Sequence, residues 1–225
     1  IFSSSAAAQT DSTKLLEDVV VSASKYPLKS TQTAKLLTVI TKEELAKAGG
    51  KDLAQVLTDL GGIFVNGANS SMGKDKAIYL RGASVDHTLV TIDGIPVYDP
   101  SGIGGIFDIR NFNLENIERI EILKGSQSTL YGSDAIAGII NIITKKAAPR
   151  LFNVNGTLAA GSFNTYKANA GISGSKEKID YRVSYGYTST GGINEAVSQN
   201  PVYDKDGFKQ QSLSAGIGLQ AAKNI

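Results

Sequence analysis

The chain has 225 residues, with 23 basic against 21 acidic side chains for a net charge of +2, no cysteine, no tryptophan and a single histidine. Those numbers exclude a disulfide-stapled scaffold, a zinc site built from Cys or clustered His and a haem attachment site, and the near balance of charge argues against a nucleic-acid partner. Glycine is abundant, at 24 residues, and the aromatics are Tyr and Phe alone, a mixture that suits strands and turns with a wet face.

Residues 1–8, rich in Ser and Ala, read as the end of a secretory signal with Gln9 as the first mature residue, or else as a plain Ser/Ala tail. No run of about 20 apolar residues occurs, so no helical membrane span is expected. Residues 9–35 are polar and aperiodic apart from Val19-Val20-Val21, which predicts a flexible arm carrying one short extended segment.

Residues 36–148 mix the two periodicities and predict an α+β domain. Leu36 to Ile40 is β-rich. Thr41 with Glu44, and Asp52 with Gln55, form two reciprocal capping patterns, so two short helices follow, ending at Gly49-Gly50 and Gly61-Gly62. Leu53, Val56, Leu57 and Leu60 lie at i, i+3, i+4 and i+7 and give the second helix one apolar stripe. Ile63 to Val65 and Ile78 to Arg81 read as short strands around a Gly/Asn/Ser loop, Asn66 to Lys76. Thr88 to Ile92, Asp93-Gly94 and Ile95 to Val97 form a hairpin whose turn residues match its twist. A second glycine-rich loop, Tyr98 to Phe107, precedes a helical turn near Leu114 to Ile117, a strand at Ile120 to Leu123, a turn at Lys124-Gly125 and an apolar run, Ile139 to Ile143. Binding is expected on the two long loops.

Residues 149–225 show only period two. Four segments alternate: Phe152 to Ala160, Tyr166 to Ile172, Ile179 to Tyr187 and Leu213 to Ala221. Each has the length of a tilted membrane strand, with a tight turn at Gly174 to Lys178 and a long polar connection from Ser189 to Gln211. A soluble β-meander with one buried face alternates in the same way. Four strands cannot close a barrel and would leave raw edges, so more strands are expected to complete it.

Enzymatic signatures are weak. His87 stands alone, Gly102-Ile103-Gly104-Gly105 lacks the Lys-Ser/Thr of a phosphate loop, and no Ser-His-Asp arrangement can be argued, so catalysis is not expected. Asp204 and Asp206 flank Lys205 ahead of Gly207 and could offer oxygens to calcium, but two carboxylates fall short of the 6 to 8 oxygens that ion takes.

Four motifs, in order along residues 17–145, carry a resemblance. They are Glu17-Asp18-Val19-Val20-Val21-Ser22-Ala23; Ile78-Tyr79-Leu80-Arg81-Gly82; Leu89-Val90-Thr91-Ile92-Asp93-Gly94-Ile95-Pro96-Val97; and Ile117 to Gly125 running into Leu130 to Thr144. The chain resembles the TonB-dependent outer-membrane receptors, with a plug domain followed by antiparallel transmembrane β-barrel strands. The resemblance implies that Asp18, Val19, Val20, Val21, Ser22 and Ala23 form the TonB box, which adds a strand to the periplasmic C-terminal domain of TonB. It implies that Arg81, and Lys124 where the family often has Arg, pair with carboxylates on the barrel wall. Asn66, Asn69, Ser70, Ser71, Tyr98, Asp99, Ser101 and Phe107 are expected on the substrate-facing loops.

Within the family, Ser84 to Val90, Tyr131 to Ile136 and the Asp204/Asp206 loop resemble the cobalamin branch, where such a loop binds calcium. The expectation is therefore TonB-driven import of a scarce bulky nutrient through the outer membrane, in contact with its lipid. Cobalamin is favoured over a ferric siderophore or haem, with no cofactor needed for chemistry. A binding-only or signalling receptor and a soluble β-rich carbohydrate or peptide binder are the rival readings.

Overall fold

The computed structural model describes residues 20–21, 28–29, 36–101, 105–147, 149–195 and 205–219. Strands β1 (Val20–Val21) and β2 (Leu28–Lys29) pair antiparallel, Val20 opposite Lys29 and Val21 opposite Leu28. Asp18, Val19, Ser22 and Ala23 lie outside the described residues.

Strand β3 (Leu36–Ile40) runs directly into helix α1 (Lys42–Lys47), and α2 (Leu53–Asp59) follows one turn later. Both helices begin at the capping boxes read from sequence: the Thr41 and Asp52 side chains accept from the Glu44 and Gln55 backbone N–H groups, and the Glu44 and Gln55 side chains reach back to the cap. Each box satisfies two backbone donors that the helix start leaves free. Leu53, Ala54, Val56 and Leu57 are buried, but Leu60 is not: it is the C-cap residue, past the last helical turn, and its side chain is 38% exposed. The stripe ends one turn earlier than its spacing suggests because Ile63 bends back, its N–H on the Leu57 carbonyl, and takes the core position.

The remaining elements of this domain are β4 (Phe64–Asn66) and β5 (Ala77–Tyr79), a two-stranded sheet; β6 (Thr88–Ile92) and β7 (Ile95–Pro96); β8 (Ile117–Lys124); the short helix α3 (Ser128–Tyr131); and β9 (Gly138–Thr144). A five-stranded sheet orders them β3-β8-β9-β6-β7, with β6 and β9 parallel and the other pairs antiparallel. Asp93 (φ 51) and Gly94 (φ 82) supply the two left-handed residues the β6–β7 turn requires. Helix α2 packs on this sheet, and Leu57, Ile120, Ile122, Ile140 and Ile142 are fully enclosed. Helix α3 has no counterpart in the sequence reading, since four residues between glycine-rich turns carry no helical period.

The last four strands, β10 (Asn153–Gly161), β11 (Thr165–Lys176), β12 (Ile179–Thr190) and β13 (Phe208–Leu219), form an antiparallel meander in sequence order. Three of them run to 12 residues, longer than the alternation alone indicates. Pairing continues to Lys176 opposite Ile179 and to Thr190 opposite Phe208, so the tight turn shrinks to Glu177-Lys178 and the fourth strand starts at Phe208 instead of near Leu213. One face is apolar and open: Leu158 is 86% exposed and Ile217 80%, with Val154, Tyr166, Ile172, Leu213 and Leu219 beside them. The opposite face carries Asn169, Ser173, Ser184 and Thr190, all buried, with Ser184 bonded to Asn116 of the α+β domain.

Candidate functional site

The Asn66–Lys76 loop joins β4 to β5 and is held from within by two cations. Lys76, only 6% exposed, points its ammonium at the carbonyls of Gly67 and Ser71, the second at 3.1 Å. Burial pulls its pKa below the ordinary lysine value, against the opposing charges of Asp52 and Glu195. Arg110, in the 3₁₀ turn Ile109–Asn111, grips Asp108 through Nε–Oδ1 at 2.9 Å and a second nitrogen on Oδ2 at 2.7 Å. The same guanidinium reaches Asp75 at 2.8 Å and the Gly73 carbonyl. The Arg110 hydrogen bond holds the Asp108 carboxyl below its usual range, as a bidentate fork should.

A carboxylate from the meander then closes on this loop. Glu195, in the connection between β12 and β13, accepts from the Ser70 hydroxyl and the Ser71 N–H and pairs with the Lys74 ammonium at 3.2 Å. Ser70, then Ser71 and Lys74, draw its pKa down to about 2, so it is ionised at any physiological pH. The Ser71 hydroxyl donates to the Asp206 carbonyl at 3.0 Å, and Gln210 Nε2 donates to the Arg110 carbonyl at 2.9 Å. Of the four expected contact residues on this loop, Asn66 and Asn69 are exposed, while Ser70 and Ser71 spend their donors on the meander.

On the second loop Tyr98 and Ser101 are exposed, and the Asp99 carboxylate accepts from the Ser101 N–H at 2.9 Å and from its hydroxyl at 2.5 Å. Burial and the nearby Asp134 raise the Tyr98 pKa. Phe107 is half-buried and packs on the domain core, and residues 102–104 lie outside the described set. Arg81 is left-handed (φ 55) and exposed, and its guanidinium lies near Gly125, next in sequence to Lys124. Among the described residues neither Arg81 nor Lys124 makes an ion pair. Asp204 is outside the described residues; the Asp206 carboxylate lies 3.5 Å from the Glu195 N–H, and no group of three or more potential metal ligands gathers among the described residues.

The seam between domain and meander is polar. Lys167 donates to the Gly50 and Lys51 carbonyls at 2.7 and 3.2 Å, Ser184 to Asn116 at 2.8 Å and Thr157 to Glu115 at 3.3 Å. A cavity of about 600 Å³ separates the two along Leu53, Glu115, Lys167, Asn169 and Ser212.

Residues 29–139, which hold both loops and all of the mixed sheet except most of β9, match the model of the TonB-dependent receptor plug domain. This chain belongs to the TonB-dependent outer-membrane receptors. The vitamin B12 transporter BtuB of Photobacterium profundum is 31% identical over 201 residues, covering 89% of this chain and 32% of that protein. The solved siderophore receptor PirA of Acinetobacter baumannii is 27% identical with a TM-score of 0.61, over 84% of this chain and 30% of that one. The pyoverdine receptor FpvA of Pseudomonas aeruginosa shares the fold, with a TM-score of 0.63 at 23% identity over 77% of this chain and 25% of its own. The chain therefore spans about a third of the length of the relatives it matches. The α+β domain is the plug, the meander is barrel wall, and its open apolar face is the lipid face. Glu195 and Lys167 escape a sequence reading because their partners are more than 100 residues away, and Lys76 and Arg110 because each is a single charge in a polar stretch with no periodic pattern to mark it.

Proposed function

We propose that this plug and wall serve TonB-driven import of a bulky, scarce nutrient, with cobalamin favoured over a ferric siderophore. The observation that carries the reading is the Asn66–Lys76 plug loop, braced from within by Lys76 and Arg110, which displays Asn66 and Asn69, together with the second loop, which displays Tyr98 and Ser101. Rigid backbone under exposed amide and hydroxyl groups suits recognition of a large ligand rich in hydrogen-bonding groups. The 31% identity to a vitamin B12 transporter supports cobalamin, and the ligand of PirA keeps the siderophore reading second.

In this reading Asp18 to Ala23 is the TonB box. Its backbone adds a strand to the periplasmic domain of TonB, and release of the β1–β2 ladder at Val20–Val21 frees part of it. Arg81 and Lys124 meet wall carboxylates, and Asp204 with Asp206 contributes to a calcium site in the outer loop. Deleting Asp18 to Ala23 from the full-length receptor is expected to abolish labelled cobalamin uptake while leaving cobalamin binding to the cell surface unchanged. Uptake that survives the deletion would falsify the transport mechanism. Binding of a siderophore but not of cobalamin would transfer the reading to the siderophore class.

A further inference from the structure

Three donors of the plug loop, the Ser70 hydroxyl, the Ser71 N–H and the Lys74 ammonium, converge on one carboxylate that belongs to the wall. The convergence is not a chance surface pair. The loop that presents the donors is fixed beneath them by Lys76 on the Gly67 and Ser71 carbonyls and by Arg110 on Gly73. Glu195 is equally placed on its own side: the Asp206 N–H donates to the Ile193 carbonyl at 3.0 Å, which ties residues 191–195 to 205–207, and the Asp206 carboxylate faces the Glu195 N–H. Ser71 is 7% exposed and also holds the Asp206 carbonyl, and the Phe208 ring lies against Gly73. Both ends of the latch are thus preorganised, so forming it restricts few additional side-chain rotamers.

We propose that Glu195 is a positioning residue that locks the two ends of the β12–β13 connection, residues 191–195 and 205–207, onto the 66–76 plug loop, so that the order of those ends and the order of the plug loop are coupled. An isolated surface ion pair contributes little. Here a charged acceptor also satisfies a backbone donor and a hydroxyl on a half-buried surface, and hydrogen bonds to a charged group are the stronger kind. Coupling of this kind is reciprocal: loosening the plug side must loosen the wall side by the same factor. Under the nutrient reading, the latch holds Asn66 and Asn69 at a fixed height beside the wall loop, and its loss speeds release of the ligand. That last consequence rests on the proposed function; the coupling itself does not.

The test uses the full-length receptor in outer-membrane vesicles without ligand. Hydrogen exchange is followed in both loops for Glu195→Ala, the isosteric Glu195→Gln and the plug-side pair Ser70→Ala with Lys74→Met. Exchange is expected to rise about tenfold in residues 67–75 for Glu195→Ala, less for Glu195→Gln, and to rise in residues 191–195 and 205–207 for the plug-side pair. Faster exchange confined to the mutated loop in each case overturns the proposal, because a purely local role loosens only its own segment. Dissociation of labelled cobalamin is then timed separately: unchanged dissociation alongside coupled exchange removes the nutrient consequence and leaves the latch standing.

Discussion

Asn141 sits in the middle of the plug sheet, fully buried, with β6 on one side and β8 on the other. Its side-chain oxygen accepts from the Thr91 hydroxyl at 2.7 Å and from the Gly94 N–H at 3.1 Å, and its amide donates to Glu121 at 3.3 Å. Glu121 is also fully enclosed and pairs with Arg119 at 2.8 Å. An amide in the apolar run Ile139 to Ile143 interrupts the hydrophobic pattern for a physical reason, since the buried Thr91 hydroxyl and the turn N–H need an acceptor there. Asn141→Leu leaves these groups without that partner and is expected to destabilise the plug by about 1–3 kcal/mol. Adding Thr91→Val should recover part of the loss, because removing both partners costs less than stranding one. Urea unfolding of the plug within the intact receptor, read by pulse proteolysis, measures both. Equal stability of wild type and Asn141→Leu would show that the network contributes nothing.

At the level of elements, local chemistry made the starts of structure legible and tertiary contact decided the ends. Thr41 with Glu44 and Asp52 with Gln55 act within four residues, so the helix starts stand where the sequence places them. Asp93-Gly94 marks its turn locally, because both residues adopt the left-handed conformation that turn requires. Strand β13, by contrast, begins with Phe208-Lys209-Gln210-Gln211, too polar to read as strand, because its inward side chains face the plug and Gln210 caps the Arg110 carbonyl. Glu195 and Lys167 were illegible for the same reason: their roles lie in partners more than 100 residues away. The alternation itself was a sound guide to which side meets lipid. Leu213, in the middle of β13 and 75% exposed, should therefore be sensitive to charge: Leu213→Arg is expected to cost about 2–4 kcal/mol in lipid-vesicle refolding equilibria. The same change at Ser214, which faces inward, escapes that penalty. A Leu213→Arg receptor as stable as wild type would mean that this face does not meet the bilayer core.

For the molecule as a whole, the issue is what holds the plug against the wall. Among the described residues the seam is made of separate polar contacts and no buried apolar cluster spans it: Lys167 lies on the α1–α2 corner, Ser184 on Asn116, Thr157 on Glu115 and Arg182 on Thr144 at 3.4 Å. Contacts of this kind exchange readily with water one at a time, whereas an apolar interface of similar extent would hold as a unit. Lys167 differs from the others in kind, because a single ammonium spans two carbonyls, Gly50 at 2.7 Å and Lys51 at 3.2 Å, just ahead of the Asp52 cap of α2. It ties the helical corner of the plug directly to β11, and the corner cannot leave the wall without breaking it. Lys167→Met keeps most of the aliphatic stem and deletes the donor, which should weaken the corner's hold by about 1.5–3 kcal/mol. Hydrogen exchange in residues 42–59 is then expected to quicken at least tenfold in the intact receptor. Cells that lack TonB should admit more of a hydrophilic antibiotic too large for general porins, since that leak needs only spontaneous displacement of the corner. Lys167→Arg, which retains donors at similar reach, should leave both readings near wild type. Unchanged exchange in Lys167→Met would show that the other seam contacts hold the corner alone.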